Sequence, residues 1–370
     1  NAIKSCSHVI SSTTDAARLV ALAANFIGLT EIDPITGGNV SLIDIGINMK
    51  KGHCAEALMY LANNLSSENI VWPVTLEPAI RQFSSDDHPA LRALILRHLP
   101  YMQSRHHELG WELFSLIMHQ KELGLWQIAE PCLFYAYHLH FESVDYWLQN
   151  IYQEGEGKDF EIWGRISALA TLDKKIDSAK LIADLSRLKQ AEAWIGASTV
   201  WTNGDNLQQH RDKCLSGLYA GLNDENPYAT IVAGEVGNLF RIQLRQENNA
   251  IFLPLDLLQR YFDLLKADTE SNRQDVFGIN AWLSTLAKQD PEYALAAAEK
   301  YLNLASQAQY NISDYEGNLT QLLTQLFRQA EEREETDAGE MLGRVVELQD
   351  QLLLLGVDEV DQWLHDAERP

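Results

Sequence analysis

A chain of 370 residues with 52 acidic against 29 basic side chains carries a net charge of −23. That excludes long-range attraction to nucleic-acid phosphates or to an anionic membrane. Apolar residues make up 46%, enough for a sizeable core. With 10 prolines and 21 glycines the chain holds few breakers for its length, which favours long helices over many short strands.

In chain order, Thr14 to Phe26 reads as a helix with Asp15 at its start and Leu19, Leu22 and Phe26 on one face. Thr30 to Gly46 is rich in Gly, Asp and Thr, and the alternation Ile43, Ile45, Ile47 at its end suggests a short strand. Residues 1–46 are thus expected to form an N-terminal helix and an irregular connection. Gly52 to Leu65 follows as a small-residue helix with Ala55, Leu58 and Ala62 on one stripe. Behind Pro89, placed where a first turn tolerates it, Leu91, Leu94, Ile95 and Leu99 recur at helical spacing, and Arg92 and Arg97 fall off that stripe. Further stripes are Leu181, Ile182, Leu185 and Leu188, then Leu257, Leu258, Tyr261, Phe262 and Leu265, then Leu319, Leu322, Leu323, Leu326, Phe327 and Ala330.

The connections are short: Ser84 to Asp87, Gly155 to Lys158, Asn203 to Asn206 and Asn223 to Asn226. Successive helices with short joints predict an all-α fold, an α-solenoid of degenerate HEAT/TPR-like helix pairs over residues 47–330. Residues 331–370 are expected to hold an acidic loop (Glu331 to Glu340) and C-terminal capping helices. Phe83 to Arg92 resembles Leu222 to Thr230: each has an acidic turn, a proline and then a small-residue helix. No strict 34- or 40-residue period is visible.

The chemistry is sparse. The chain has no P-loop, no G-x-S-x-G and no H-E-x-x-H, and Gly155-Glu-Gly157-Lys158 lacks P-loop spacing. Cys6, Cys54, Cys132 and Cys214 are scattered, as expected of isolated thiols in a cytoplasmic protein rather than of a zinc site or disulfide framework. No apolar stretch reaches the length of a membrane span. Five of eleven histidines lie between His106 and His140, but only one His-Glu dyad occurs, His107-Glu108. Since a metal needs about three converging ligands, the expectation is no metal site and no catalytic residue. A helical-repeat glycosylase is disfavoured by the charge, and an iron hydroxylase by the single dyad. Thirteen of the 33 aromatic residues fall between Tyr101 and Trp163. Such residues anchor interfaces or fill cores; as candidate partner-binding residues they give His107, Trp111, Trp126, Tyr137, His140, Trp147 and Tyr152.

Ile47-Asn-Met-Lys-Lys51-Gly52-His-Cys-Ala55-Glu56-Ala57-Leu58 resembles the I-N-S-V-R-G-x-A-A-E-A-L pattern that opens the C-terminal helical region of bacterial antiviral STAND NTPases. Lys51 stands in place of the usual Arg, and Met49-Lys50 in place of Ser-Val. Ala191 to Phe240 is similar to the family's middle block, and Leu319 to Glu368 to its end, with a closing helix expected over Val360 to Ala367. The resemblance implies a sensor portion that binds a phage packaging or capsid-portal protein, such as a terminase or portal. Binding would trigger oligomerisation and effector activation through an NTPase portion outside this chain. ATP and Mg belong to that portion, and this chain would hold no cofactor. The start at Asn1 fits a piece of a longer protein. No functional residue of the family carries over, because the matching positions Gly52, Ala55 and Leu58 read as helix packing. The alternative reading is a generic helical-repeat scaffold for protein assembly.

Overall fold

A computed structural model describes residues 2–31, 41–120, 124–243, 250–267, 278–308, 312, 314, 316–357 and 360. Among them every regular element is an α-helix. The chain forms two compact units, residues 1–162 and 163–370.

The first unit opens with α1 (Ala2–Ser7), α2 (Thr13–Ala24) and α3 (Leu42–Asn48). Three pairs in sequence follow: α4 (Lys50–Ser67) with α5 (Leu76–Ser84), α6 (Pro89–Arg105) with α7 (His107–Met118), and α8 (Leu125–Phe134) with α9 (Phe141–Glu154). First helices pack on first helices, α4 on α6 and α6 on α8, and α5 packs on α7. This neighbour-to-neighbour stacking is the α-solenoid arrangement. The opening helices α1, α2 and α3 lie against α4, and α3 also reaches α6.

The α2 start comes from a reciprocal cap. The Asp15 N–H donates to Ser12 Oγ at 3.2 Å, and the Ser12 hydroxyl donates to Asp15 Oδ2 at 2.7 Å. The expected strand at Ile43, Ile45 and Ile47 is instead helix α3, set by the same device. Ser41 Oγ accepts from Asp44 N at 3.1 Å and donates to Asp44 Oδ2 at 2.7 Å. Residues 1–46 therefore hold two helix starts, those of α1 and α3, beyond the expected helix.

α10 (Asp159–Leu172) spans the 162/163 boundary. The second unit continues with α11 (Ser178–Leu188), α12 (Ala191–Trp201), α13 (Gly204–Gln209) and α14 (Arg211–Gly221). It ends with α15 (Ala229–Gln243) and α16 (Leu255–Ala267), α17 (Ile279–Gln289) and α18 (Pro291–Ala308), and α19 (Asn318–Asp337) and α20 (Glu340–Leu354). From α15 onward the alternation is regular: α15, α17 and α19 form one row, α16, α18 and α20 the other. A period hidden in the residue types surfaces in the bonds along the second row. Lys300 Nζ donates to Gln259 Oε1 at 3.1 Å and Lys266 Nζ to Gln307 Oε1 at 2.5 Å, each joining residues 41 apart.

The two similar acidic turns adopt one local form. Asp86 Oδ1 accepts from His88 N at 3.0 Å, and Asn226 Oδ1 accepts from Tyr228 N at 3.1 Å, so each turns the chain into the next helix. Three further sequence expectations are corrected. The acidic run from Glu331 is helical through Asp337, the end of α19, with Arg328 Nε 3.6 Å from Glu332. Arg92 lies 1% exposed rather than off the buried face, because α6 is covered by helices on several sides. The connection expected at Asn203 to Asn206 is the capped start of α13, with Asn203 Oδ1 accepting from Asn206 N at 3.1 Å. Of the expected closing helix Val360 to Ala367, all but Val360 lies outside the described residues.

Candidate partner-binding surface

The aromatic residues of the first unit divide into a buried cluster and an exposed turn. In the cluster, His107 at the start of α7 meets His140, the residue before α9, with ring centroids 3.9 Å apart and 34° between planes. His107 lies 6.4 Å from Trp111, and Trp111 5.4 Å from Phe114. Phe114 then contacts Trp147 edge-on at 5.3 Å, and Trp147 contacts His119 at 5.3 Å and Trp126 at 6.0 Å. These separations suit edge-to-face packing, worth about 0.5–1.5 kcal/mol per pair beyond area burial. Burial, and then the neighbouring His107, lower the His140 pKa below its ordinary 6.5.

The structure thus brings together His107, Trp111, Trp126, His140 and Trp147 of the sequence-predicted set. Two of them are core, Trp111 at 8% and Trp147 at 4% exposed, and His107, Trp126 and His140 are half-buried. As partner-contacting side chains Trp111 and Trp147 are corrected, because they face inward between α7, α8 and α9. Ring packing rather than hydrogen bonding holds this corner, since Trp111 Nε1, His107 Nδ1 and both amide atoms of buried Gln103 make no hydrogen bond. Tyr137 is half-buried and touches Phe134 at 6.3 Å and His138 at 4.5 Å. Tyr152 is half-buried near the end of α9.

The exposed members were missed. Phe134, Tyr135 and Leu139 are 40%, 63% and 75% exposed in the turn between α8 and α9, and Tyr146 on α9 is half-exposed. A signal for them existed: α8 carries Pro131 near its end, and the apolar residues beyond Leu133 fit no continuing helical stripe.

The resemblance motif has a packing role. Glu31 accepts the Lys50 and Lys51 N–H groups at 3.1 and 2.8 Å, capping α4, and Lys51 is ion-paired with Asp86 of the first acidic turn. These groups line a cleft of about 540 Å³ with Asp87 and His88. His88 Nδ1 accepts from Ala90 N at 3.2 Å, capping α6. The Lys51–Asp86 pair thus joins the start of α4 to the turn before α6.

Deeper in the unit, Glu56 is 1% exposed and accepts from Lys4 Nζ at 2.6 Å, with His98 Nε2 3.5 Å away. Burial pushes its carboxyl up, but the hydrogen bonds from His98 and Lys4 and the lysine charge outweigh it, holding the pKa at about 2. All four cysteines are free, and burial raises the Cys54, Cys132 and Cys214 thiols. No described helix is long and apolar enough to cross a membrane. Among the described residues no three His, Cys, Asp or Glu side chains are grouped to hold a metal ion. Compared with known proteins, the chain matches no family model, no curated protein and no solved structure.

Proposed function

We propose that this chain is a protein-recognition module: a stack of helix pairs that binds a folded partner and carries no reacting centre of its own. The observation that carries this reading is the α8–α9 turn, which presents Phe134, Tyr135 and Leu139 to solvent on a rigid helical frame. Large apolar side chains grouped on a surface mark a site of association. Stacked helices suit the role, since they hold a long surface in fixed form without needing chemistry at it.

Residues 47–58 support a finer assignment, the sensor portion of an antiviral STAND NTPase that recognises a phage terminase or portal. In that role the affinity difference between resting and activated states turns binding into a signal. The test is co-expression of the tagged chain with terminase large subunits and portal proteins from a phage panel, followed by affinity capture. One of these proteins is expected to be retained at stoichiometric yield; retention of none sinks the defence assignment.

A further inference from the structure

We propose that the α8–α9 turn docks a basic segment of a protein partner, one presenting Arg or Lys among apolar residues. This rests on the protein-binding reading above and adds the surface and the partner's chemistry.

The turn is built before any partner arrives. Tyr135 N donates to Pro131 O at 3.0 Å, Tyr137 N to Leu133 O at 3.0 Å and His140 N to Ala136 O at 2.8 Å. Ala136 is buried beneath it. The rings of Phe134 and Tyr135 meet at 5.3 Å. A surface fixed in this way loses little conformational freedom on binding. Its cost in water is that three large apolar side chains stay exposed within six residues.

Charge selects what covers them. From Gly124 to Gly157 the chain has no Lys or Arg, and it has Glu130, Glu142, Asp145, Glu154 and Glu156. Glu130 precedes Phe134 by one turn on α8, and Glu142 is exposed in the first turn of α9. Carboxylates therefore flank the exposed rings on both sides in sequence. Arg and Lys are attracted both to tyrosine faces and to carboxylates. An acidic protein, a nucleic acid or an anionic lipid surface is repelled by the same field.

The experiment measures fluorescence anisotropy of a labelled peptide of alternating Arg and Leu on the whole chain, at about 150 mM salt. Companion peptides carry Glu for Arg, or Ser for Leu. The Arg–Leu peptide is expected to bind, the Glu–Leu peptide not to bind, and the Arg–Ser peptide to bind more weakly. Y135S/L139S is expected to weaken Arg–Leu binding at least about tenfold, and E142Q by a few-fold. The charge variant E331Q/E334Q/E335Q on α19, in the second unit, is expected to leave it unchanged.

The proposal is overturned if the wild-type chain does not bind the Arg–Leu peptide or if Y135S/L139S binds it as well. It is also overturned if the α19 variant loses as much as E142Q, because attraction is then only the overall charge. Should Y135S/L139S lose its helical circular dichroism, E142Q and the three peptides decide alone. A chain that retains a phage protein but ignores the peptide keeps the recognition reading and places the surface elsewhere. The reverse result keeps the surface and removes the defence assignment.

Discussion

Between α7 and α9 of the first unit, rings meet rings, with Trp147 set among Phe114, His119 and Trp126. Between α16, α18 and α20 of the second, long polar side chains reach across. Gln259 meets Lys300, Lys266 meets Gln307, and Arg344 grips Glu299 through two bonds of 2.8 Å. Successive helix pairs can thus be joined by dispersion and burial or by solvent-facing polar bonds. The first kind is insensitive to salt; the second is screened by it. The exposed apolar residues are unevenly divided between the units. Among the described residues nine lie in the first unit, and only Val346 and Leu354 in the second. Both units bury aromatic rings, Phe240 against Trp282 in the second among them, but only the first leaves large rings exposed among the described residues.

The largest expected effect is from Trp147→Ala, which removes the ring shared by those contacts. It should cost about 3–5 kcal/mol. In urea unfolding the transition of the first unit is expected to move to lower concentration and leave a second transition behind. A loss under about 1 kcal/mol would remove the aromatic side of the comparison.

Next is a pair of glycines, one in each unit. A Cβ on Gly52 would fall 1.8 Å from the Gly46 carbonyl oxygen, so α3 and α4 approach through it. Gly52→Ala should destabilise by about 2–3 kcal/mol through overpacking. Gly343 in α20 has nothing within 4 Å of such a Cβ, and Gly343→Ala should stabilise by about 0.5–1 kcal/mol through helix propensity. Thermal melts that shift in the same direction for both variants would contradict the packing around Gly52.

Glu56→Gln should cost about 1.5 kcal/mol at neutral pH, the scale of a hydrogen bond to a charged group. Its pH signature is more telling. The folded carboxyl titrates at about 2 against an ordinary 4.5, so its contribution is complete above 4.5 and drains away as pH falls towards 2. The wild-type chain is expected to lose stability through that window faster than the variant, as read from chemical denaturation at stepped pH. The smallest effect is Arg344→Ala, under about 1 kcal/mol and erased in high salt, because this pair is partly solvent-exposed.

The helices were legible because their apolar residues repeat at helical spacing, as the fully buried Leu257, Leu258, Tyr261 and Phe262 of α16 illustrate. The misreadings have particular causes. Over a segment as short as Ile43 to Ile47, alternation and a helical turn share residues, and the Ser41–Asp44 cap was the better guide. Glu331 to Asp337 reads as loop because it offers no apolar stripe, yet Glu and Arg favour helix and need no core to continue one. Aromatic density marks where rings gather, but Trp147 and Tyr135 differ only in whether the third dimension covers them.

In the second unit, the polar bonds between α16 and α18 join side chains 41 positions apart, one step of the stack to the next. A stack assembled in this way resembles a ladder with interchangeable rungs. Losing or duplicating a whole step of that length leaves each remaining rung with an equivalent neighbour, so lineages can lengthen or shorten the stack without redesigning its ends.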